Sequence, residues 1–152
     1  METFFGQLGL ALALGLGALG SALGIGAAGR AAAGAWAKEA KAGKPLNFSY
    51  IILTGMPLTQ TIYGFILMLV LKDRVYNAEI LAASSGALLT IGIAGGLAEL
   101  FSAWVQGLIG AAGCRALSEG EGKGLVFIII AMGIAESVGL FGFVFLLLVL
   151  PT

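Results

Sequence analysis

Two carboxylates, Glu136 and Glu99, fall inside long apolar stretches of the sequence, and the polar side chains at similar depth are amides and hydroxyls. Glu136 stands 12 residues after Gly124, about 18 Å along a helix that rises 1.5 Å per residue. Gln60, with Thr59 beside it, stands 12 residues after Phe48 at the same depth, and Gln106 lies about 14 Å from Arg115. All three can face Glu136. A charge at the bilayer centre costs at least ~2.5 kcal/mol, so a carboxyl there is a functional candidate by default. Pro57 lacks an amide hydrogen, deprives the carbonyl of Leu53 of its helical donor and perturbs the preceding turn. A backbone carbonyl in that turn is thereby available to a ligand. A carboxylate, two amides, a hydroxyl and a carbonyl form an all-oxygen set suited to a small hard cation, and no Cys or His accompanies them to favour zinc or copper. One negative charge favours a monovalent ion over calcium, whose sites gather several carboxylates. Any one of these residues alone reads as an interhelical hydrogen-bonding group; their common depth is what points to a site.

Such residues must be carried by membrane helices. Of 152 residues 59% are apolar, 25 are Gly and only 16 are charged, 8 of each sign, with no His, whereas an ordinary soluble domain is about a quarter charged. A water-soluble globule with this composition could not cover its own surface. Zero net charge leaves no basic patch, which argues against nucleic acid as a partner. The single Cys114 excludes an intramolecular disulfide and reads as a small packing residue. Glu121-Gly122-Lys123-Gly124 does not approximate a phosphate-binding loop, so no catalytic centre is expected in this chain.

The charges draw the topology. Residues 3–29 and 45–71 carry none, 80–114 only Glu99, and 124–152 only Glu136. Each stretch exceeds the ~20 residues that cross a bilayer, giving an all-α integral membrane fold of four spans. The polar runs Lys38 to Pro45, Lys72-Asp73-Arg74 and Arg115 to Lys123 read as short connections, so the spans pair into two antiparallel hairpins. Met1-Glu2-Thr3 has no basic side chain and the first apolar stretch is too long for a secretion signal, so it reads as a retained span. Arg30, Lys38, Lys41, Lys44, Arg115 and Lys123 against Lys72 and Arg74 put the first and third connections in the cytoplasm and both termini outside.

The halves echo one another. Ile25-Gly26-Ala27-Ala28-Gly29-Arg30 recurs as Ile109-Gly110-Ala111-Ala112-Gly113-Cys114-Arg115, and Gly55 through Phe65 matches Gly133 through Phe143. Residues 1–76 and 77–152 are thus tandem hairpins, parallel repeats about an axis along the membrane normal. Spans one and three are rich in Gly, including the small-xxx-small pairs Gly20/Gly24 and Gly92/Gly96, a spacing that lets helix backbones approach closely. Spans two and four are bulkier. Alternating thin and thick helices suit a curved array with the thin ones on the inner circle, and a plain four-helix bundle is the competing arrangement.

Pro57-Leu58-Thr59-Gln60-Thr61-Ile62-Tyr63-Gly64-Phe65, Leu100-Phe101-Ser102-Ala103-Trp104-Val105-Gln106-Gly107 and Ala135-Glu136-Ser137 with Gly142-Phe143 together resemble the duplicated proteolipid, the K or c subunit, of bacterial V-type sodium ATPases. The resemblance covers essentially the whole chain. It implies a sodium ion held by the Glu136 carboxylate, the Gln106 and Gln60 amide oxygens, the Thr59 hydroxyl and the backbone carbonyl of Met56, with Tyr63 hydrogen-bonded to Glu136 to close the site. Ser137 is the alternative hydroxyl ligand, and the repeat-equivalent of Glu136 is Leu58. Glu99 departs from the family pattern, where a small residue is expected. Three roles stand open for it: a protonated hydrogen-bonding group, a group facing the wet or lipid-filled centre of a ring, or a station on an ion path.

The implied function is a rotor subunit of a prokaryotic plasma-membrane ATPase. Identical copies form a ring amid lipid, Glu136 exchanges Na+ with half-channels in a membrane stator subunit, and a central-stalk subunit transmits rotation driven by ATP hydrolysis elsewhere. A proton-translocating rotor, needing Glu136 alone, is the nearest alternative. A small four-helix secondary cation transporter is more distant, since such a protein is expected to carry its carboxylate in an early helix without Gly-rich inner helices.

Overall fold

The computed structural model describes residues 1–152 as an all-helical chain with no strand. Helix α1 covers Glu2–Lys41, and the second span is built from α2 (Ser49–Gly55), a 3-10 turn (Met56–Leu58) and α3 (Thr59–Val75). Helix α4 covers Ala78–Glu119 and α5 covers Leu125–Leu147. All four stretches are long and apolar enough to cross a membrane.

The helices run past the apolar spans. Lys72-Asp73-Arg74, expected as a connection, forms the last turns of α3, and only Tyr76 and Asn77 link α3 to α4. Lys38 to Lys41 and Arg115 to Glu119 likewise extend α1 and α4. Basic side chains in the last turns of α1 and α3 complement the negative end of the helix dipole, which is why charge does not stop these two helices. Asn77 starts α4 abruptly, its side chain accepting from the backbone N–H groups of Glu79 and Ile80 at 3.0 and 3.2 Å. The α4–α5 connection reverses tightly, with positive φ at Glu121, Gly122 and Gly124, a conformation that glycine adopts without steric cost.

The two Gly-rich helices lie side by side. Gly9 of α1 meets the backbone of Leu88 and Leu89, Gly92 of α4 meets Gly9, and Gly107 meets Gly24. Positions rise together along both helices, so α1 and α4 run parallel, as hairpins repeated in one orientation require. Backbones at this separation leave no room for a Cβ. The second span packs on both α1 and α4, and α5 packs chiefly on α4, an arrangement with thin helices together and thick helices outside them.

Two apolar clusters bracket a polar middle layer. One joins Ala13, Leu67, Leu71, Leu88 and Phe143 among others. The other joins Ala32, Tyr50, Leu53, Cys114 and Met132. The buried polar side chains are Ser21, Gln60, Glu99, Ser102 and Gln106, drawn from α1, α3 and α4. Near the second cluster the first connection is tied down. Trp36 Nε1 donates to the Asn47 carbonyl at 2.9 Å, and Glu39 accepts from the Asn47 N–H at 2.9 Å and from the Tyr50 hydroxyl. An exposed ion pair, Lys44 to Glu121 at 3.2 Å, joins the two connections at that end; such surface pairs add little stability. The outward face of α5, including Phe127, Ile130, Ile134, Val138, Phe141 and Phe145, is left exposed.

Candidate ion-binding site

Glu136 projects from the middle of α5 toward α3 and α4, and a donor reaches each of its carboxyl oxygens. The Tyr63 hydroxyl lies 3.3 Å from Oε1, and Gln106 Nε2 donates to Oε2 at 3.1 Å. Gln106 Nε2 also reaches the Met132 carbonyl at 3.2 Å, one turn earlier on α5. Its own Oε1 is buried without a partner, an acceptor whose lost hydration costs about 1–3 kcal/mol when nothing replaces it. Tyr63 is held against α5 by its ring, which stacks on Phe143 with centroids 6.0 Å apart and planes at 12°. Gln106 is held by close packing: Gly107, the next residue, meets the Gly24 backbone.

A second oxygen cluster sits at the Pro57 break. The Thr59 hydroxyl is 3.1 Å from both the Met56 carbonyl and Gln60 Oε1, and its one proton serves one of them. Proline at the second position of the 3-10 turn cannot donate to Leu53, as the sequence requires. The Leu53 carbonyl itself turns toward α4, where a Cβ on Gly110 would meet it at 2.9 Å. The carbonyl gathered with the Thr59 and Gln60 oxygens is that of Met56.

Ser102 joins the two clusters. It accepts from Gln60 Nε2 at 3.1 Å and donates to the Ala135 carbonyl at 2.8 Å, directly before Glu136. Three helices thereby contribute to one layer: Met56, Thr59, Gln60 and Tyr63 from the second span, Ser102 and Gln106 from α4, and Glu136 from α5. Two glutamines, three hydroxyls and one carboxyl meet in mid-span without a basic side chain.

The sequence profile of the ATP synthase C-subunit family matches this chain twice, over residues 8–71 and 89–149. The chain belongs to that family of ATP synthase proteolipids. It is also 34% identical over 126 residues to the K subunit of the A-type ATP synthase of Methanocaldococcus jannaschii, covering 80% of this chain and 52% of that protein. The chain thus spans about half the length of that curated relative. The resemblance read from the second, third and fourth spans holds at this level, that of a duplicated, non-catalytic proteolipid of the ATP synthase type.

Within this ATP synthase proteolipid the remaining candidates separate. Ser137 turns away from the cluster, its hydroxyl donating to the Ile134 carbonyl of its own helix at 2.7 Å. Leu58, the repeat-equivalent of Glu136, is 52% exposed and contributes no polar atom. Glu99 is fully buried, so it does not face an open centre, and neither carboxyl oxygen has a hydrogen-bond partner within the chain. Ser102 is the residue that sequence reasoning left without a role. A signal for it existed: Glu99, Ser102 and Gln106 follow the i, i+3, i+7 spacing of one helical stripe.

Proposed function

We propose that this chain is a rotor subunit whose copies form a ring in the membrane sector of a rotary ATPase, with Glu136 as the carrier of a monovalent cation, Na+. The observation that carries this reading is the Glu136–Gln106–Tyr63 cluster, an ionisable carboxyl in mid-span with a neutral donor on each oxygen. Carried past lipid, an ionised Glu136 would pay the full cost of a bare charge, whereas a bound cation or proton removes it.

The choice of sodium over protons rests on the oxygens beside that cluster. A proton needs only the carboxyl. The Met56 carbonyl and Gln60 Oε1 each lie 3.1 Å from the Thr59 hydroxyl, and the Gln106 Oε1 lacks any donor. Oxygen and nitrogen of an amide interchange by a half-turn. A half-turn of Gln106 would face its oxygen to Glu136, an arrangement that a cation between them stabilises. In this reading the ligands are Glu136, Gln106, Gln60, Thr59 and the Met56 carbonyl, and Tyr63 closes the site. Ser137 is left out, because its hydroxyl is committed to Ile134.

The hairpins 1–76 and 77–152 act as one unit of the ring, with one Glu136 per four helices. A stator subunit with half-channels and a central stalk are the partners this reading needs. The basic excess near the first and third connections supports a cytoplasmic position for them and extracytoplasmic termini.

Carbodiimide labelling of the purified protein at fixed pH, with the labelled residue located by mass spectrometry, tests the reading. Sodium is expected to suppress labelling of Glu136 and potassium is not. Labelling that follows pH alone, indifferent to sodium, would replace Na+ by H+. A solubilised particle no larger than a monomer or dimer would favour the secondary transporter and remove the rotor.

A further inference from the structure

Glu99 is a buried carboxyl that the Glu136 cluster does not use. It is 0% exposed, and both its oxygens are buried without a partner. Neither protonation state satisfies such a group alone: the acid has an O–H to donate, and the anion has a charge to neutralise. A cation in contact with it would neutralise the anion and take up both oxygens.

Two glycines shape its surroundings. A methyl on Gly139 of α5 would sit 2.7 Å from Glu99 Oε2 and 2.9 Å from Ser102 Oγ, so the absence of a side chain there leaves the carboxyl its place. On the other flank, a methyl on Gly17 of α1 would sit 3.0 Å from the Gln60 carbonyl oxygen and 3.4 Å from Glu99 Cβ. Two glycines from two helices thus bracket Glu99, and two oxygens, Ser102 Oγ and the Gln60 carbonyl, share those same contacts. Each oxygen keeps a lone pair beyond the bond it makes within the chain. Along α4, Glu99 is seven residues from Gln106, about 10 Å by helical rise, while Gly139, the glycine beside its Oε2, stands three residues from Glu136 on α5.

We propose that Glu99 is the anionic ligand of a second monovalent-cation position, completed by the Ser102 hydroxyl and the Gln60 carbonyl, so that each chain holds two cations. Two carboxylates in one mid-membrane layer repel each other and each lacks hydration; a cation at each removes both costs. Ser102 then touches both positions, through its own hydroxyl on one side and through Ala135 and Gln60 on the other, so occupancy of one biases the other. The proposal rests on the reading that the chain takes up a monovalent cation.

Saturation binding of radioactive sodium to the purified, detergent-solubilised oligomer, counted per chain, tests it. The expected counts are two for the natural chain, one for Glu99→Gln, one for Glu136→Gln and none for the double variant. The natural chain decides without any variant: a count of one overturns the second position. In that case, loss of the ion in Glu136→Gln with retention in Glu99→Gln leaves the Glu136 reading standing alone. Loss in Glu99→Gln with retention in Glu136→Gln removes the Glu136 reading instead. A natural count of zero overturns both positions and leaves a proton carrier.

Discussion

At the Glu136 carboxyl, two donors on two oxygens hold one charge, and their removal separates their roles. A hydrogen bond to a charged group contributes about 1.5–3 kcal/mol, which is ~10- to 100-fold in affinity. In the proposed bound state the turned Gln106 amide gives its oxygen to the ion, a contact to a charge of the same order, so Gln106→Ala is expected to weaken sodium protection of Glu136 from carbodiimide by about that factor. Tyr63→Phe is expected to weaken it less, because its hydroxyl lies at the longer distance of 3.3 Å and its ring remains stacked on Phe143. Sodium titrations of labelling on both variants check the order; equal loss, or a larger loss from Tyr63→Phe, contradicts it. Much of this cluster was legible in the sequence, because a carboxyl and amides in apolar helices are rare and depth follows from counting residues. Depth does not give azimuth. Counting could not tell that the Ser137 hydroxyl bonds back to Ile134, nor that Ser102 ties Gln60 to α5. Those outcomes depend on how α3, α4 and α5 turn about their own axes, which packing sets.

Between the helices, glycine decides which backbones touch. Gly107 meets the Gly24 backbone, while Gly86, on the same helix α4, has nothing within 4 Å. Adding one methyl at Gly107 forces α1 and α4 apart, and overpacking of this kind costs about 1–3 kcal/mol. At Gly86 the same change meets open space and gains up to ~1 kcal/mol of helix propensity. Gly107→Ala is expected to lower the thermal stability of the solubilised protein and to shift Gln106 off Glu136, whereas Gly86→Ala leaves both intact or improved. Melting curves together with carbodiimide labelling read the two effects. Pro57 acts at the same scale. Pro57→Ala restores an N–H that can bond Leu53, continues the helix through Met56–Leu58, and is expected to weaken sodium binding with a gain in stability. Retained affinity would mean that the 3-10 turn does not set the Met56 carbonyl. The four spans, their pairing and the thin and thick helices could be read from charge spacing and glycine content. Helix ends could not, because Lys72, Asp73 and Arg74 satisfy their backbone groups within α3 as well as in a loop, and only the Asn77 cap marks where the chain turns.

A single chain leaves a broad apolar face uncovered, from Phe127 to Phe145 on α5 and at Leu58, Ile62 and Phe65 on the second span. In a bilayer, lipid or another copy of the chain can cover such a face, and the difference shows in what one defective copy does to its neighbours. A carrier that works alone loses activity in proportion to the fraction of defective chains. A rotor does not. Every site on a ring must pass the stator in turn, and one carboxyl that can neither bind nor release its ion stops the whole ring. If Glu136→Gln chains are co-expressed with natural ones and mix at random, the fraction of fully competent rings is the natural fraction raised to the power of the number of chains per ring. Ion-coupled ATP hydrolysis in membranes is therefore expected to fall far more steeply than the fraction of variant chains rises. The exponent of that fall estimates the ring's size, and native mass spectrometry gives the same number independently as a multiple of the 15.4 kDa chain. A linear fall would mean that each chain carries its ion alone, and it would remove the ring from the account while leaving the chemistry of Glu136 in place.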